Sequence, residues 1–95
     1  MNNASLRLRL YVAGSSPNSR RALGNLAWLR GWADTAAWTI ETVDVYEHPD
    51  RALADGVMLT PQLVIQSTSG QRAVVGDLSD HPALLAALGL NGGPP

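Results

Sequence analysis

Ser16, Pro17, Asn18 and Ser19 stand where a Cys-x-x-Cys pair would perform thiol–disulfide exchange. The residues before them, 6–12, alternate like a strand. Ala13-Gly14-Ser15 has turn chemistry, and Ser16-Pro17 opens a helix. A thiol at a helix N-terminus has a lowered pKa, and exchange runs through the thiolate so produced. A serine hydroxyl offers no such anion. The chain has no Cys anywhere, which also removes disulfide frameworks and cysteine metal sites. A redox layout without its reactive group points to a binding module rather than an enzyme.

The remaining polar candidates are sparse. His48-Pro49 and His81-Pro82 read as helix-opening pairs, with no partner at metal-binding spacing, so no metal and no other cofactor is expected. No nucleophile-elbow motif is present, which makes a Ser-His-Asp hydrolase remote. In Gly76-Asp77-Leu78-Ser79, Gly supplies a positive φ and Asp or Ser caps the next helix. The competing reading of that segment is ligand recognition at a helix N-terminus. Arg20 and Arg21 fall in the first turn and a half of a helix, where basic charge opposes the dipole, so stability is not their obvious purpose.

The elements that must position these residues follow from periodicity. Leu6, Leu8, Leu10 and Val12 form one face of the first strand, and Arg7, Arg9 and Tyr11 the other. Ser16 is the N-cap and Pro17 the first residue of a helix running to about Ala33. Ala22, Leu26, Leu29 and Ala33 make its buried stripe. Trp28 and Trp32 flank that stripe, either as core cover or as an interface anchor. After a loop, Asp34-Thr35-Ala36-Ala37, residues 38–45 are β-rich. Pro49 and Gly56 bracket a short helix. Residues 62–66 and 72–75 form a hairpin across Ser67-Thr68-Ser69-Gly70. Ser79 or Asp80 caps a last helix that Gly89 ends.

That order, β-α-β-α-β-β-α, begins with a right-handed parallel crossover and closes with an antiparallel pair. It predicts an α/β, thioredoxin-like fold with a mixed four-stranded sheet. Residues 1–90 form a single domain, and residues 91–95 a frayed tail. A net charge of −1 supplies no field for nucleic acid or an anionic membrane. No apolar run approaches a membrane span and no signal peptide is visible, so the expected location is the cytoplasm.

Four blocks in order resemble the KaiB family of small clock proteins: Leu10-Tyr11-Val12-Ala13-Gly14 with Ser16-Pro17-Asn18-Ser19-Arg20-Arg21-Ala22-Leu23; Val43-Asp44-Val45 with His48-Pro49; Leu59-Thr60-Pro61-Gln62-Leu63; and Val75-Gly76-Asp77-Leu78-Ser79. The resemblance implies a protein that binds the N-terminal ATPase ring of a KaiC-like partner. It also implies a second partner, a KaiA-like protein or a kinase sensor domain. It further implies two folds, a tetrameric ground state with a rearranged second half and a monomeric thioredoxin-like state that binds the partner. On that basis Arg21 is a candidate contact, and the 49–58 segment faces the ring through Asp50, Arg51, Asp55, Val57 and Met58. The alternative for that segment is a surface helix whose Leu53 covers the sheet. The strand carrying Glu41 and Val43 is an edge, blunted by Glu41 and Asp44 or used by the second partner. Thr60-Pro61 is expected to be a cis bond, as in thioredoxin-like folds.

One departure bears on fold choice. Members carry β-branched residues, Gly and Asp near the C-terminus, whereas this chain has Pro82-Ala83-Leu84-Leu85-Ala86-Ala87-Leu88-Gly89. Ala and Leu favour helix, and Ala87 stands where many members have Gly. Gly76, Asp77, Ala87 and Gly89 are therefore the expected fold-state determinants, and the monomeric thioredoxin-like state is favoured over a dimer or tetramer. Two other functions fit the same outline. One is a glutathione-binding thioredoxin-fold protein using Ser16, Pro61 and Asp77; the other is a detached histidine-kinase sensor domain.

Overall fold

Local capping chemistry sets the first half of the chain. The computed structural model describes residues 5–90; the expected tail, 91–95, lies outside the described residues. Strand β1 (Arg7–Val12) leads into helix α1 (Pro17–Trp32). Ser16 Oγ accepts the Ser19 N–H at 3.3 Å, and Pro17 fills the first helical position. Strand β2 (Thr39–Asp44), helix α2 (Pro49–Ala54), strands β3 (Gln62–Ser67) and β4 (Gly70–Val75) and helix α3 (His81–Ala87) complete the expected order.

The sheet runs β2-β1-β3-β4. β1 pairs parallel with β2 and antiparallel with β3, and β3 pairs antiparallel with β4. The strands therefore form the mixed sheet expected, with β2 and β4 as its edges. Leu8, Leu10 and Val12 pack with Leu63 and Ile65 against Ala22, Leu26 and Leu29 of α1 and Leu84 and Leu85 of α3. Ser19 is also fully buried on α1, and its Oγ accepts the Ala13 N–H at 3.1 Å. Ala33 follows the helix as its C-cap and is only partly buried.

The opposite face differs from simple alternation. Tyr11 is buried there with Val43 and Val64 beneath Ala52 of α2. Strand periodicity places Tyr11 outside; a layer supplied by residues forty positions later encloses it. The α2 contact is also one residue out of phase with expectation. Ala52 covers the sheet, while Leu53 is 82% exposed. A six-residue helix has too few turns for its sequence to fix which face turns inward.

Residues 81–87 are helical, as expected. Asp80 Oδ1 accepts the Ala83 N–H at 3.0 Å and caps α3. Gly89, at φ 76°, lets its own N–H reach the Ala86 carbonyl (3.1 Å) and that of Leu90 reach Leu85 (2.9 Å). These two bonds form a Schellman closure. Trp28 is partly buried and stacks between Trp32 and His81, with ring centroids 5.9 and 3.7 Å apart. The two tryptophans thus cover the core and tie α1 to the start of α3.

Candidate functional site

The Ser16–Ser19 segment shows what the redox position has become. Ser16 Oγ donates to Ser19 Oγ at 2.8 Å while accepting from the Ser19 backbone. Both hydroxyls are used in holding the strand–helix corner. Thr60-Pro61 is cis, as expected, and the Pro61 carbonyl accepts the Gly76 N–H at 2.9 Å. Asp77 Oδ1 accepts the Ser79 N–H at 3.0 Å, and its Oδ2 faces Arg21 Nε at 3.3 Å. Hydrogen bonding from Ser79, with Arg21 adding to it, holds the Asp77 carboxyl below the usual range. The residues of a glutathione-type site are thus already engaged with their own neighbours.

The Gly76–Ser79 corner carries one feature that composition does not reveal. Gly76 has φ 112°, as its type predicts, but Leu78 also has a positive φ, 65°. Leu78 is buried in the main core, and Asn25 Nδ2 donates to the Asp77 carbonyl at 2.8 Å. Core burial and this bond hold a conformation that a leucine rarely adopts.

A second group of candidates gathers around α2. Arg9 of β1 meets Asp55 through two bonds, Nε–Oδ2 at 2.7 Å and Nη2–Oδ1 at 3.1 Å. The Tyr11 hydroxyl donates to Asp55 Oδ2 at 2.5 Å and lies 3.2 Å from the Arg51 carbonyl. The Arg9 fork holds the Asp55 carboxyl below its ordinary range, whereas burial and the adjacent carboxylate push the Tyr11 hydroxyl up. Arg51 pairs with Glu41 of β2 at 2.5 Å and lowers the Glu41 carboxyl in turn.

These contacts revise several sequence assignments. Asp55 is committed to Arg9 and Tyr11, so its charge is not free for a partner. Arg51 and Glu41 neutralise each other on the surface, although both stay about 40% exposed. Val43 is 1% exposed and packs inward, so its side chain is not a contact residue. Arg21 sits in the opposite layer, held by Asp77 and Asn18, and does not join the α2 group. Asp50 is exposed, and Val57 is half-buried beside the second core.

The apolar surface around α2 is larger than the sequence indicated. Leu53, Met58 and Leu59 are 82%, 89% and 64% exposed, and Tyr46 before the helix is 75% exposed. The sequence reading includes Val57 and Met58 as apolar candidates but not Leu53, Leu59 and Tyr46, because exposure of a large side chain depends on the tertiary path. Among the described residues, no group of three or more His, Asp or Glu is placed to hold a metal ion. No helix among them is long and apolar enough to cross a membrane.

A mixed sheet with this strand order, a helix at the redox corner and a cis proline opposite it define a thioredoxin-like protein that lacks the thiol pair. Solved structures agree. A thioredoxin from Fasciola hepatica superposes with TM-score 0.72 over 90% of this chain and 81% of its own, at 15% identity. A mutant thioredoxin of Halobacterium salinarum gives TM-score 0.73 over 90% of this chain and 74% of its own, at 25% identity. In sequence, the family model of the KaiB domain matches residues 9–90, and the chain belongs to the KaiB family. It is 37% identical over 83 residues to the circadian clock oscillator protein KaiB of Prochlorococcus marinus, covering 87% of this chain and 70% of that relative. The protein of the same name from Gloeothece citriformis is 36% identical over 83 residues, covering 87% of this chain and 78% of its own.

Proposed function

We propose that this chain is a non-catalytic protein-binding module that docks, as a monomer, on the N-terminal ATPase ring of a KaiC-like protein and acts in clock or stress and timing signalling. The observation that carries the reading is the exposure of Leu53, Met58 and Leu59, close together in sequence, on a KaiB-family chain. An apolar patch with a polar rim is what a transient interface needs. Asp50 and the Arg51–Glu41 pair supply that rim. The cytoplasm is the compartment where such an ATPase would be met.

The two edges of the sheet invite a second partner. β2 is hydrogen-bonded on one side only, and Glu41 and Asp44 mark its rim. A KaiA-like protein or a kinase sensor domain would add there by strand pairing. The direct experiment is size-exclusion chromatography of the purified chain with a KaiC-like ATPase hexamer. Co-elution that Leu53→Asp with Met58→Asp abolishes supports the reading. No co-elution of the unaltered chain at concentrations up to about 100 μM, a weak-interface Kd by ordinary affinity arithmetic, refutes it.

A further inference from the structure

Helix α2 is anchored in an unusual way. It has six residues, too few to be stable alone, and Ala52 is the one side chain it buries. Among the described residues, the core between α2 and the sheet holds four buried residues, against thirteen on the α1–α3 side. Apolar contact, from Ala52 and the half-buried Val57, is therefore a small restraint on this segment. Polar contact is not: Arg9, Tyr11 and Asp55 meet across 44 to 46 residues of sequence. The Arg9 and Asp55 side chains are only 15% and 16% exposed, so each depends on the other for its bonds.

The position of Asp55 gives this cluster leverage. It is the C-cap of α2. Gly56 follows at φ 69°, and the Gly56 and Val57 N–H groups close the helix on the Leu53 and Ala52 carbonyls, at 3.1 and 2.9 Å. Met58, Leu59 and the cis Thr60-Pro61 bond come directly afterwards. Holding the Asp55 carboxylate thus fixes the end of the helix and the start of the exposed apolar stretch together. Gln66 of β3 adds a bond to Arg9 Nη1 at 3.2 Å, so the anchor reaches two central strands.

We infer that Arg9, Tyr11 and Asp55 are positioning residues for the 49–60 segment, and that breaking their cluster opens this segment as a unit from a sheet that stays folded. That the segment is a docking surface rests on the reading above; the opening itself does not. The test is native-state hydrogen exchange on the full chain, comparing the unaltered protein with Asp55→Asn and Tyr11→Phe. Asp55→Asn keeps the shape and removes the charge. It should speed exchange of the 51–57 amides by about tenfold or more, the scale expected when a buried charged partner is lost. Amides of β1 and β3 should change by less than about threefold. Tyr11→Phe should give the same pattern with a smaller amplitude, and it serves if Asp55→Asn does not fold. Unchanged exchange at 51–57, or an equal loss of protection throughout the chain, overturns the inference. A parallel binding measurement separates the two claims. Failure of the unaltered chain to bind the ATPase refutes the docking reading alone, because the exchange pattern is read on the free chain.

Discussion

Replacing Ala87 by Gly and Gly89 by Asp together should shift this chain away from the α3 helix. Ala87 lies in the last turn of α3 and is partly packed on the main core. Gly in place of Ala costs a helix about 1 kcal/mol. Gly89 sits at φ 76°, where it closes the helix through the Ala86 and Leu85 carbonyls. Asp there must adopt a left-handed conformation, at about 1 kcal/mol. The sum, about 2 kcal/mol, is a factor of about 30 in population. Two arrangements of one sequence can differ by only a few kcal/mol, so that factor is enough to reveal the second. Mass by light scattering and backbone chemical shifts at residues 81–87 report the outcome. The unaltered chain should be a single monomeric species with a helix at 81–87. The double variant should show a second set of resonances lacking that helix, together with a heavier assembly. A double variant that remains monomeric and helical, losing only denaturant resistance, would refute the idea that helix propensity at 87 and 89 selects the fold.

Two further outcomes follow from the side-chain geometry. Hydrogen bonding from Arg9 depresses the Asp55 carboxyl and that from Arg51 depresses Glu41 in the folded state, so the stability they contribute is complete above the unfolded carboxylate pKa. It disappears as pH falls through the lower folded values; urea midpoints should therefore drop below about pH 4, and Asp55→Asn should flatten that drop, whereas an identical acid profile in the variant would contradict the assignment. Replacing Ser16 and Ser19 by Cys should give a disulfide that forms in air and is reduced by dithiothreitol, because the two Oγ atoms already lie 2.8 Å apart at a helix N-terminus. Persistent free thiols under oxidation, counted with a thiol reagent, would show that the redox geometry has been lost along with the cysteines.

How much of this was visible in the residues themselves depends on sequence distance. The start of α1 was legible because Ser16 and Pro17 are capping chemistry that acts within four residues. The ends of α2 and α3 were legible for the same reason, through Gly56 and Gly89. Element order and crossover handedness account for the parallel β1–β2 pair and the antiparallel β3–β4 pair, whereas the β1–β3 pairing that joins them is a tertiary contact. Burial of Tyr11 was not legible, since alternation reports one covered face and α2 supplies a second cover. The exposure of Leu53 in place of Ala52 was hidden by the shortness of α2. Asp55 read as a free charge because its partner, Arg9, lies 46 residues away. The stack of His81 on Trp28 and the positive φ of Leu78 are likewise tertiary facts, set by how α1 meets the end of the sheet.

Hydrogen-exchange footprinting of this chain on the KaiC-like ATPase ring tests the central claim most directly. The account predicts added protection across residues 49–60 with little change along α1. Protection concentrated on α1, with the Leu53, Met58 and Leu59 amides exchanging as in the free chain, would contradict it.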